Sequence, residues 1–116
     1  MAFMNNDVGW VKSATAATLD DSPGVLVKAG ETLLYGWSIA NTVAAITYVQ
    51  LFNAVQLTDV TLGSTTPDAW IALSASATGT ASFDKPLHFT LGLVAFSTTT
   101  PTGSSASVSH ATFFYA

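Results

Sequence analysis

The stretch LLYGWSIANTVAAITYVQLFNAV, from Leu33 to Val55, decides the fold of this chain. It reads as two β-strands joined by a polar turn at Asn41-Thr42-Val43-Ala44. The second strand, in the run Ala45 to Asn53, carries apolar or aromatic side chains on both of its faces. A strand of that kind is covered on both sides, and 116 residues leave little chain to supply two coverings. Part of the covering is therefore expected from neighbouring molecules. That points to a subunit of an assembly rather than to a free enzyme.

Composition leads the same way. Charged residues make up 9% of the chain, where about 25% is typical. Apolar residues make up 49% and the mean hydropathy is +0.45. A single small domain has much surface for its volume and normally relies on charge for solubility. Here Ser, Thr and Ala stand where charge would be, so the composition predicts that much surface is buried against other subunits, as in obligate oligomers. The net charge is −4, with three Lys and no Arg. Binding to nucleic acid needs cations to neutralise phosphates, and anionic membranes need them as well, so both partners are excluded. With no cysteine there is no disulfide, thiolate metal site or thiol nucleophile. The first residues are polar and interrupted by Asp7 and Lys12, unlike a signal peptide. No apolar run approaches the ~18–20 residues of a membrane span. Synthesis in the cytoplasm is the expectation.

Outward from the deciding stretch, β signals continue almost everywhere. Residues 1–22 are the least patterned and read as an N-terminal arm or edge segment, with a short strand at Val8 to Val11. Ser22-Pro23-Gly24 marks a turn before the run Val25 to Lys28, and Ala29-Gly30-Glu31 turns into the strand Thr32 to Ala40. Gln56 to Asp68 is rich in turn-formers. Ala69 to Leu73 is the next strand, and Asp84-Lys85-Pro86 breaks a short one at Ala81 to Phe83. Leu87 to Leu91 alternates strictly, which places Leu87, Phe89 and Leu91 on a buried face. After Gly92 the phase slips to Val94 and Phe96, as at a bulge or bend. Thr98 to Ser107 is a loop, and Val108 to Tyr115 closes the chain as a strand. The Ala-rich windows at 14–17 and 75–81 lack helical periodicity.

About seven or eight short strands at roughly 8–12-residue spacing predict one antiparallel β-sandwich, of the jelly-roll or Ig-like type. The domain is expected over residues 23–116, following the arm or edge segment of 1–22. Its expected core is Leu33, Tyr35, Trp37, Tyr48, Phe52, Phe89, Leu91 and Phe113.

Chemistry-bearing constellations are thin. His88 and His110 have no partners at metal-ligand spacing, where zinc needs three or four convergent ligands. Asp20 and Asp21 are adjacent, and neighbours on a strand point to opposite faces. The glycines form no phosphate-cradling pattern and no Ser sits in a nucleophile elbow. No catalytic residue, cofactor or metal is therefore expected. Phe3, Trp10, Val11 and Trp70 stand out instead as candidate interface residues, because large apolar and aromatic side chains anchor interfaces. Exposed Trp and Tyr rings also suit stacking on sugars, an alternative that stays open.

One resemblance bears on these readings. Leu34-Tyr35-Gly36, Asn41, Tyr48-Val49, Phe52-Asn53, Gly63 to Pro67, Pro86-Leu87-His88-Phe89, Gly92-Leu93 and Phe114-Tyr115 follow in order across residues 33–116. The pattern resembles small all-β structural proteins encoded by tailed bacteriophages and prophages. The resemblance implies a non-enzymatic virion component, a capsid decoration (cement) subunit on the outer surface of the head. Its implied partners are the major capsid protein and further copies of itself, as a homo-oligomer of trimeric type. A tail, fibre or host-glycan-binding module is the competing expectation.

Overall fold

Apolar runs bounded by turn-formers become strands throughout. The computed structural model describes residues 11–116, and these form eight strands and one short 3-10 turn at Leu57–Asp59. The strands are β1 (Lys12–Leu19), β2 (Val25–Ala29), β3 (Thr32–Asn41), β4 (Thr47–Asn53), β5 (Ala69–Leu73), β6 (Thr78–Phe89), β7 (Gly92–Thr98) and β8 (Ser109–Tyr115). They make two antiparallel sheets, β1-β8-β3-β6 and β2-β7-β4-β5. The inner faces share one core: Leu19, Leu34, Ile39, Phe89 and Phe113 from the first sheet meet Val49, Leu51, Ile71, Leu73 and Leu93 from the second. The arrangement is that of a β-sandwich. Residues 12–19 are an edge strand of the first sheet.

Pairing defines two ends. The near end holds Val11 and Ala116 together with the links at 30–31, 54–68 and 90–91, whereas the links at 20–24, 42–46, 74–77 and 99–108 lie at the far end. Asn41 closes the far end. Its Nδ2 donates to the carbonyls of Ala45 (2.8 Å) and Ser74 (2.9 Å), while its Oδ1 accepts from Val43 N (3.1 Å) and Thr47 Oγ1 (2.9 Å).

Several expected faces change. Leu33 and Tyr35 were expected inside, yet Leu34 is the fully buried residue and the other two are only half-buried. The cause is a bulge: Leu34 lies opposite Tyr115 and Gly36 opposite Phe114, so Tyr35 is an extra residue on β3. An extra residue reverses the alternation, which lets Leu34 and Trp37 both face the core. The bulge needs a glycine, since a Cβ on Gly36 would sit 2.3 Å from the carbonyl oxygen of Ala81. Across the sheet, residues 83–86 all lie opposite Tyr35, and Phe83 packs edge-to-face on Trp37 with centroids 5.1 Å apart. The break expected at Asp84-Lys85-Pro86 is thus an irregularity inside one long edge strand, where proline is tolerated.

Leu87 and Leu91 are exposed although alternation placed them inside. Strand β6 ends at Phe89, and Leu91 lies in the turn that reaches Gly92, whose φ is +155°. Tyr48 is half-buried on the outer face of β4, while Phe52, Phe89 and Phe113 are buried as expected.

The two-sided strand β4 is covered without a neighbour over much of its length. On the outer face of the second sheet, Phe52, Ala54, Val94 and Phe96 form a second core, roofed by Leu57, Val60 and Leu62 of the 54–68 link. Phe52 and Phe96 meet edge-to-face, with centroids 5.8 Å apart. Beside them Gln50 is fully buried, and its Nε2 donates to Thr98 Oγ1 (2.8 Å) and the Gly103 carbonyl (3.0 Å), holding down the 99–108 link. The chain's own links do what neighbouring molecules were expected to do there.

Candidate functional site

The near end gathers exposed apolar side chains around a polar frame. Asn53 closes β4 and organises that frame: its Oδ1 accepts from Leu91 N (2.7 Å), its Nδ2 donates to Thr90 Oγ1 (3.1 Å), and its own backbone N donates to Asp68 Oδ2 (2.7 Å). These bonds fix the 90–91 turn and the start of β5 against each other. Between them lies a notch of about 180 Å³, lined by Asn53, Asp68, Ala69, Leu87, His88 and Phe89. Leu87 lines it and is exposed, Leu91 (52% exposed) is tied to it through Asn53, and Val55 (46%) is exposed at the start of the 54–68 link at the same end. His88 Nε2 lies 2.6 Å from Glu31 Oε2 beside the notch, a well-solvated pair that contributes little stability.

Large apolar side chains held in water by rigid backbone are poised to gain free energy on contact, roughly 25 cal/mol per Å² of apolar area covered. Val11, Leu26 and Phe114 are also exposed towards this end, whereas Ile46 alone among the exposed large apolar residues belongs to a far-end link.

Sequence reasoning singled out other residues. Phe3 and Trp10 lie outside the described residues. Val11 immediately precedes β1 and is 37% exposed. Trp70 stands on β5 opposite Gln50, 50% exposed, with its ring edge-on to Tyr48 at 5.6 Å. Val11 and Trp70 are not brought together, since β1 meets β2 and β7 of the second sheet and β5 is that sheet's opposite edge. Val55, Leu87 and Leu91 were missed: strict alternation assigned the two leucines to the core. The signal that could have found Leu91 is the Thr90-Leu91-Gly92 step, where glycine marks a turn rather than a continuing strand.

The rest of the surface is hydroxyl-rich. Thr15, Thr112, Ser38 and Thr80 stand side by side across all four strands of the first sheet, and Thr15 Oγ1 lies 3.0 Å from Thr112 Oγ1. A second groove of about 310 Å³ opens between Phe96, Leu57, Val60 and Leu62 and the segment Asp21 to Gly24. A hydrogen bond with Asp20 raises the Asp21 carboxyl above its ordinary value, helped by slight burial and by the charge of Asp20.

Among the described residues, no group of three or more His, Asp or Glu side chains is placed to hold a metal ion, and no helix is long and apolar enough to cross a membrane. Comparisons of the chain with protein-family models, with curated proteins and with solved structures return no match.

Proposed function

We propose that this chain is a non-enzymatic structural subunit of a tailed-phage virion, which decorates the outside of the head shell and strengthens it. The observation that carries the reading is the apolar near end, which exposes Val55, Leu87 and Leu91 together, with Leu87 lining a notch whose frame Asn53 fixes. The major capsid protein is the proposed partner for that end. A subunit that binds only the assembled shell adds its binding free energy to the shell by mass action. The fold is proposed to be a jelly roll rather than Ig-like. Its pairs run β1/β8, β2/β7, β3/β6 and β4/β5, as one long hairpin wound into two sheets. That order suits a double Greek key, whereas Ig-like sheets set the first two strands side by side. Jelly rolls serve viral shells and lectins alike, so the fold by itself assigns neither role.

The test is location and copy number on purified particles. Hundreds of copies spread over the head are expected; a handful at the tail would overturn the reading. A double variant, Val55→Asp with Leu91→Asp, is expected to stay folded and to bind undecorated heads at least about tenfold more weakly, because each carboxylate must be desolvated on docking.

A second reading has its own observation: the half-exposed Trp70 ring braced edge-on by Tyr48 offers a flat stacking surface for a sugar. Under that reading, host-surface glycans quench Trp fluorescence, and Trp70→Ala abolishes glycan binding without affecting attachment to heads.

A further inference from the structure

The two sheets have four edges, and they are not equally protected. An edge strand presents unpaired N–H and C=O groups, a template for another strand, and proteins blunt such edges with short strands, charge, proline or bulges. Edge β6 carries Asp84, Lys85 and Pro86 in its irregular segment. Edges β2 and β5 are five residues each, and β2 adds Lys28 and a register shift. Edge β1 differs. It is eight residues long, KSATAATL, regular against β8 from Lys12 to Ala16, with a single register shift before Leu19. It has no proline and no charge beyond Lys12 at its first position. Among the described residues nothing pairs with its free side.

Charge selects the partner and the direction. Each copy has a net charge of −4, so copies repel unless opposite charges meet at the contact. In β1, Lys12 opens the strand and Asp20-Asp21 follow its last residue. Two β1 strands side by side and antiparallel place the Lys12 end of each against the Asp20-Asp21 end of the other, twice per pair. Parallel pairing would instead stack like charges. The side chains between the charged ends are Ser, Ala and Thr, small enough for close backbone approach.

We propose that β1 is the self-association edge of this protein, where a second copy of the chain adds its own β1 antiparallel about a twofold axis. The two first sheets then join into one continuous eight-stranded sheet, order β6-β3-β8-β1 and its mirror in chain order. The contact is isologous and closes on itself, as twofold interfaces do. The inference goes beyond the capsid reading and does not need it, because it uses β1 and the charges flanking it, whereas head attachment uses Val55, Leu87 and Leu91.

Sedimentation velocity of the full chain over the micromolar range tests it. The expected mass is twice the 12.0 kDa of one chain. Thr15→Lys with Ala17→Lys adds four lysines at the joined edge and is expected to give monomers that keep the wild-type β circular dichroism. Lys12→Glu sits at the exposed start of the strand and removes both charge pairs; it is expected to weaken association about tenfold. Adding Asp20→Lys and Asp21→Lys to Lys12→Glu restores the attraction with reversed sign, and association is expected to recover. Monomer mass for the wild type throughout the range overturns the inference. So does a three-chain mass, or association that neither Lys12→Glu nor its reversal moves. Head binding is scored separately with the Val55 and Leu91 variant, so that failure of one reading leaves the other standing.

Discussion

Asn41→Ala is expected to lower the unfolding free energy by about 3 kcal/mol or more, read as a lower urea midpoint with an unchanged slope. Asn41 is 4% exposed, and its amide binds two links and the ends of β4 and β5 at once. Nδ2 reaches the carbonyls of Ala45, Leu73 and Ser74, and Oδ1 accepts from Val43 N and Thr47 Oγ1. Thr47 Oγ1 also lies 2.6 Å from Ser107 Oγ, so the network runs on into the link before β8. Alanine keeps the strand but leaves these groups buried without partners, and an unsatisfied buried group costs far more than a hydrogen bond gains. Hydrogen exchange is expected to quicken first at residues 42–46 and 74–77, the links Asn41 holds. A loss below about 1 kcal/mol would mean that water replaces the side chain freely, and that Asn41 does not hold the far end together.

Strand positions were largely legible because they depend on local chemistry. Ala69 to Leu73 has the bounds the structure gives, and β2 and β8 agree to within a residue, whereas the bulge or bend expected at Gly92 is a turn between two strands, β6 and β7. Faces were less legible, because alternation assumes an unbroken ladder. At Tyr35 one extra residue reverses the phase, and what drives it is the close approach of Gly36 to Ala81 on a neighbouring strand. Nothing within residues 33–40 reports a contact with residue 81. The near end was illegible for a related reason. Whether Leu87 and Leu91 are covered depends on where β6 stops and on Asn53 capturing Leu91 N from a distant strand.

The inference that β4 needs a neighbour failed in an instructive way. Its premise was right, because β4 is apolar on both faces and mostly buried. Its arithmetic treated the 54–68 link as polar turn, counting Gly63, Ser64, Thr65, Thr66 and Pro67 and passing over Leu57, Val60 and Leu62. Those three residues are the roof. Low charge therefore reflects two things: a second core built from a link, and a first-sheet outer face wetted by hydroxyls rather than ions.

Phe52→Ala tests that account of the second core. Phe52 is 1% exposed and makes its edge-to-face contact with Phe96 beneath Leu57, Val60 and Leu62. Truncating a buried phenylalanine to alanine costs about 3–5 kcal/mol, from lost transfer free energy plus the cavity left behind. The loss is expected in that range, with the 54–68 link freed first and the core between the sheets kept, since Phe52 faces away from Val49, Leu51 and Ile71. Concentration then separates a covering made by the same chain from one made by a neighbour. Association makes stability depend on protein concentration, so a roof supplied by another copy would make the difference between wild type and variant change on dilution. A roof from the same chain keeps that difference constant at every concentration, even if both proteins pair through β1. Constancy is the expected result; a difference that disappears on dilution would move the cover of Phe52 onto a neighbouring molecule.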